Sequence, residues 1–199
     1  MYATLSQIDG IPGPQDTAWV DEVLTALRTT ASPVGALIAR PIGPGAGYAV
    51  TFWAIEDDAA SVAEGRSVGD LTIGAARTYD INARHTSGDA QPAHYLQLLT
   101  FDGPRTAEWS ASYERAGEER MLPAVRNLPG WLEHFAGSAA DNSKLSITLA
   151  ASVEALEAAG AAIMSTELLP GEDPAQLTGP DSFAILRLLH ADVPVGADK

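Results

Sequence analysis

Between Trp19 and Leu27 the apolar residues Trp19, Val20, Val23, Leu24 and Leu27 recur at helical spacing, which predicts an amphipathic helix. Asp16 or Thr17 is placed to cap it and Pro33 to stop it. Ahead of this helix, "YATLSQI" (2–8) has strand composition and ends at Asp9-Gly10, with Pro12 and Pro14 beyond. Behind it, "VGALIARPI" and "YAVTFWAI" read as two strands joined through "GPGAG" at 43–47. Glu56, Asp57 and Asp58 open a short helix, where the N-terminal dipole favours negative charge. "IGAARTYDI" supplies a fourth strand, so the order is β-α-β-β-α-β.

The second half repeats that order. "YLQLLTF" is a strand, Asp102-Gly103-Pro104 a turn, and 106–127 a longer helix in which Trp109, Tyr113 and Ala116 share a face and Pro123 predicts a kink. "GWLEHFAGS" and "KLSITLA" are strands around the turn "ADNS", Ser152 caps a helix in "SVEALEAAGAAIM", and "SFAILRLLH" is the last strand. Tyr2, Asp9-Gly10, Trp19, Thr51 and His85 correspond to Tyr95, Asp102-Gly103, Trp109, Thr148 and His190. The chain therefore reads as a duplication. Its repeats are 1–85 and 95–191, joined by the small, polar linker "TSGDAQPAH" at 86–94 and followed by a flexible tail at 192–199.

Composition narrows what such a chain does. With 46% hydrophobic and 19% charged residues over 199 positions it is globular and long enough to bury a sizeable core. A net charge of -14, with the 12 basic residues scattered, speaks against nucleic acid or an anionic membrane as partner, since both need clustered cations. There is no cysteine, which excludes disulfides, thiolate metal sites and a Cys nucleophile. No secretory signal and no long apolar run is evident, so the expectation is a cytoplasmic protein. "GPGAG" lacks the Lys-Ser/Thr of a phosphate-binding loop, and no His-x-x-x-His or Gly-x-Ser-x-Gly spacing occurs; no metal is expected.

A β-α-β-β-α-β unit is the split βαβ of ferredoxin-like folds. Two in tandem, with Phe52-Trp53-Ala54-Ile55 running into Glu56-Asp57-Asp58 and a helix, resemble the dimeric α+β barrel superfamily. Within it the chain is similar to the antibiotic biosynthesis monooxygenase-like group. The resemblance implies an α+β fold of two ferredoxin-like units forming a barrel within one chain, as a monomer or weak homodimer. It also implies a small apolar or aromatic ligand, with cofactor-independent monooxygenation as one activity and a non-catalytic ligand-binding or protein-interaction module as the alternative. Haem-degrading members of the superfamily use an Asn on the first strand, a Trp ending the third and a His on the next helix. Trp53 matches the Trp, but Ser6 or Gln7 stands for the Asn and "DDAASVAEGRSV" has no His, so no cofactor is expected and haem is unsupported. Ala150 takes the Trp position in the second half, which favours a pocket in the first.

His134, inside a mostly apolar strand, is the candidate general base, with Trp131, Glu133 and Phe135 expected on the opposite face of its strand. Trp53, Tyr79, Gln7 and Trp131 are the candidate substrate-binding residues. His85 and His190, ending equivalent strands, suggest a shared structural role, and His94 belongs to the linker surface.

Overall fold

The computed structural model describes residues 1–62 and 64–194. Its contacts divide the chain into two units: Met1–Asn82 with the chain from Ile185 onward, and Ala83–Ala184. The division differs from the sequence boundaries because the last strand of each repeat is shared between units. Of the expected tail, Asp192 is still strand, and 195–199 lie outside the described residues.

In the first unit β1 (Tyr2–Asp9) pairs antiparallel with β3 (Gly47–Trp53) and with the start of β6 (Arg77–Thr86). Beyond β3 come β2 (Gly35–Pro41) and the end of β10 (Ser182–Asp192). One face of this sheet meets α1 (Trp19–Thr30), whose Trp19, Val20, Val23, Leu24 and Leu27 close on Ile8, Ala36, Ile38 and Ala49. The helical stripe read from the sequence is thus the core itself. The cap differs: neither Asp16 nor Thr17 holds that position, because Ala18 is the N-cap and the Asp16 carboxylate accepts from the Ala18 N–H in a tight turn before it. After the short α2 (Glu56–Ala60), a hairpin of β4 (Arg66–Val68) and β5 (Leu71–Ile73) extends the sheet beside the end of β1. Periodicity does not predict this hairpin, since three-residue strands are too short to show a period. Leu71 and Ile73 join the cluster under α1.

In the second unit β9 (Lys144–Ala150) lies between β7 (Tyr95–Phe101) and β8 (Trp131–Ser138), antiparallel to both. The expected helix at 106–127 is α3 (Ala107–Ala116), capped by Thr106, then a π-helical turn (Gly117–Met121), then α4 (Leu122–Val125). Met121 and Leu122 keep helical dihedrals, so α4 continues the helix without a break, and the irregularity beside Pro123 is the π-helical turn just before it. The helix α5 (Val153–Met164) is capped by the Ser152 hydroxyl, as expected. Among the described residues no helix is long and apolar enough to cross a membrane.

Candidate functional site

Strand pleating sorts the side chains of each sheet into a helix-covered face and an opposite face. In the first unit the register sets Tyr2 beside Trp53, Thr4 beside Thr51, and Thr51 beside Ala36, all on the face covered by helices. Trp53 is wholly buried there, packed on Ala59 and Val62 near α2, and its indole Nε1 donates to Thr4 Oγ1 at 3.0 Å. Tyr79, opposite Ala3, points to the other face, where the Arg77 guanidinium lies 5.9 Å from its ring centre. Gln7 is exposed and donates to Asp9 Oδ1 at 2.9 Å. The first-half candidates therefore do not converge: the sheet stands between Trp53 and Tyr79.

The second unit repeats this register with different chemistry. Tyr95 faces Ala150, and Ala150 faces Trp131; Gln97 faces Thr148, and Thr148 faces His134. Ala150 stands where the first half has Trp53, and the indole arrives instead from β8, where Trp131 packs on Val125 and Ala159. A β-bulge between Trp131 and Glu133 makes this possible. It inserts one residue, so Trp131 and His134 share a face although they are three apart. Strict alternation, which set Trp131 opposite His134, is corrected by that bulge. The Trp131 and His134 rings stack with centroids 6.3 Å apart, and His85 stacks on His134 at 6.4 Å.

His134 Nδ1 is 3.1 Å from Thr148 Oγ1. Its Nε2 and the Gln97 side-chain amide make no hydrogen bond to any of the described residues. Burial, and then the neighbouring charge of His85, push the His134 pKa down to about 4, so the ring is neutral at pH 7. A neutral imidazole with so low a pKa is a weak proton acceptor and a good hydrogen-bond partner, not the base poised near 7 that the strand context suggested. Further along the same face of β9 lie Ser146 and Lys144, both buried. The Lys144 ammonium is neutralised by Glu114 at 2.5 Å and also donates to Ser138 at 2.7 Å. Thus every helix-facing position of β9 up to Thr148 is polar, whereas Leu145, Ile147 and Leu149 face the other way.

The sequence alone points to His134 and Trp131 but not to Gln97, and marks Thr148 only as a repeat position. The signal that could have found Gln97 was its equivalence with Thr4 of the first half, two residues after Tyr95 and Tyr2 respectively. The expected likeness of His85 and His190 is not met: His85 stacks on His134, whereas His190 lies opposite Ile38 with Nε2 buried and unpartnered.

A haem does not fit the residues on this face. Neither α3 nor α5 carries a histidine, and the buried cations Lys144 and Arg120 are each neutralised by a carboxylate of the chain, which leaves neither for a haem propionate. Among the described residues no three His, Cys, Asp or Glu gather as a metal site requires.

Register and helix placement in both units define an α+β protein of duplicated ferredoxin-like units, the α+β barrel fold within one chain. Solved structures show that fold over the full length. A candidate monooxygenase from Fusobacterium nucleatum subsp. nucleatum matches with TM-score 0.67 at 11% identity, covering 100% of this chain and 97% of that one. An anthrone oxidase-like protein matches with TM-score 0.60 at 12% identity over 98% and 94%. The haem-degrading enzyme of Listeria monocytogenes matches with TM-score 0.53 at 8% identity over 94% and 99%. No protein-family model and no curated protein matches the sequence.

Proposed function

We propose that this protein binds a small, mostly apolar or aromatic molecule on the helix-covered face of its second half. The Gln97 amide and His134 Nε2 are the polar anchors, and the buried Trp131 ring backs His134 from the side of α4 and α5. The observation that carries this reading is the row Gln97–Thr148–His134: two hydrogen-bonding groups without partners among the described residues, next to an indole. Both residues are partly exposed, so water pairs with these groups in the free protein, and the polar atoms of a ligand can take that water's place. In this reading Trp53, Tyr79 and Gln7 serve the first half's own structure. The likeness to an anthrone oxidase-like protein and to a candidate monooxygenase agrees with an apolar or aromatic ligand without fixing a reaction.

A second reading adds catalysis without a cofactor. A ring methylene of the ligand reduces O2: one oxygen atom becomes the carbonyl on that carbon and the other leaves as water with the two hydrogens. His134 then accepts the first proton. Its lowered pKa makes it a weak base for this step, so binding is the reading the geometry supports best.

Native mass spectrometry of the protein purified from its own host tests both. The wild type retains a small molecule that the double variant Gln97→Leu, His134→Phe has lost. Equal retention by the two, or none in the wild type, sinks the site. Uptake of 18O by the retained molecule, one atom per turnover, separates oxygenation from binding alone.

A further inference from the structure

Residues 165–181, which connect α5 to β10, run along α3 and are held there almost wholly by polar contacts. Trp109 Nε1 donates to the Gln176 carbonyl at 3.1 Å, and Arg115 Nη1 and Nη2 both reach the Pro170 carbonyl at 3.4 Å. Arg120 donates from Nε and Nη2 to Glu172 Oε1, at 3.2 and 2.8 Å, and from Nη1 to Thr166 Oγ1 at 2.8 Å. None of the segment's apolar residues is buried. The matching connection in the first half is different in kind, because Leu71 and Ile73 fix it in the core under α1. Releasing a core-anchored hairpin exposes apolar surface to water, whereas releasing a segment held by polar groups lets water take over the same bonds.

The segment lies along a particular flank of α3. Trp109 and Tyr113 stack there at 5.3 Å, and both rings meet Phe101 of β7, so this flank borders the space between helix and sheet. Arg120 belongs to the π-helical turn, a place where a helix accommodates an extra residue and is often tied to function. The far end stays clamped, since Asp181 accepts from the Asp102 N–H at 2.8 Å and from Arg105. A Cβ added at Gly171 (φ +81), next to the latch residue Glu172, or at Gly179, next to the clamp, would meet nothing within 4 Å, which leaves two free turning points.

We propose that residues 165–181 form a strap that opens and closes over this flank of α3, gating the helix-covered face that holds Gln97, Thr148 and His134, with the Arg120–Glu172 pair as its latch. The gate rests on the binding site proposed above, but its test needs no ligand. The chain has no cysteine, so Ser146→Cys places one thiol on that face, on a residue 5% exposed. Its rate of reaction with a disulfide reagent such as dithiobisnitrobenzoate is measured in the full-length protein, alone and with Glu172→Gln.

Losing the charged latch speeds labelling roughly tenfold, the size expected of a charge-assisted hydrogen bond. Hydrogen exchange at 166–177 rises in the same variant. An unchanged labelling rate overturns the gate, whether or not exchange reports release of the strap. Should Glu172→Gln fail to fold, Thr166→Val loosens the latch by its third bond and is read the same way. Failure here leaves the binding site standing, while equal ligand retention by the Gln97→Leu, His134→Phe variant strikes the site and leaves the strap's motion intact.

Discussion

The same register position carries Thr4, Thr51 and Ala36 in the first half and Gln97, Thr148 and His134 in the second. In the first half the polar member is spent on structure: Thr4 accepts the Trp53 indole proton, and α1 closes the rest of the face with an apolar stripe. In the second half the indole has moved to the neighbouring strand, and the row beneath it keeps polar groups without partners among the described residues. One backbone plan thus yields a row whose Thr4 is paired with the Trp53 indole and a row whose Gln97 amide and His134 Nε2 have no partner among the described residues.

The largest effect expected from this comparison is in the first half. Trp53→Ala removes a fully buried indole and leaves Thr4 facing a void, at a cost of about 4 kcal/mol. Urea denaturation reads it as a lower midpoint with unchanged slope. If the surviving folded protein also fails to retain the small molecule proposed above, the assignment of Trp53 to structure alone is wrong.

Next comes the pH dependence of the second half. The folded pKa of His134 is lowered from 6.5 to about 4, so well above pH 6.5 both folded and unfolded chains hold it neutral. As pH falls through 6.5 the unfolded chain takes up a proton that the folded one refuses, and stability declines. It stops declining from this cause only once pH passes the folded value. By pH 5 the loss is about 2 kcal/mol. His134→Phe flattens that part of the stability profile, and the difference between the two curves isolates the ring from the carboxylates. Identical profiles mean that the imidazole is not buried as described.

How much of this was legible in the sequence is clearest from these same residues. The stripe at Trp19, Val20, Val23, Leu24 and Leu27 was visible because helical periodicity is carried by many residues and tolerates exceptions. The duplicated order was visible for the same reason. The bulge at Leu132 was not, because one inserted residue leaves no mark on composition yet turns every later side chain of the strand over. That single event put Trp131 and His134 together and moved the candidate site out of the first half. Trp53 misled for a related reason: a sequence shows an aromatic at a strand end but not whether its N–H is already paired within its own half.

Two substitutions at one register position sharpen the contrast between the halves. Thr4→Val strands the buried Trp53 N–H and costs about 1–3 kcal/mol. Gln97→Leu removes an amide with no partner among the described residues and replaces it with apolar volume, so it is neutral or stabilises by about 0.5–1 kcal/mol. Both are read from denaturation midpoints. Opposite signs at equivalent positions are the thermodynamic mark of a ligand site. A loss at both means that the Gln97 amide is paired in solution.

The smallest effect is on the proton of His134. Thr148 Oγ1 lies 3.1 Å from Nδ1 and has the geometry to select one tautomer, thereby fixing whether Nε2 offers a proton or a lone pair to a ligand. Thr148→Val deletes the hydroxyl at nearly constant volume, so stability changes by about 1 kcal/mol. The imidazole 15N shifts report the tautomer directly and move from one dominant form toward a mixture. His85 stacks on the same ring in either case and so holds its position, which separates loss of the tautomer from loss of the stack. Unchanged 15N shifts would mean that the ring's orientation is set by Trp131 and His85 alone, and the row would then hold one anchor, Gln97, instead of two.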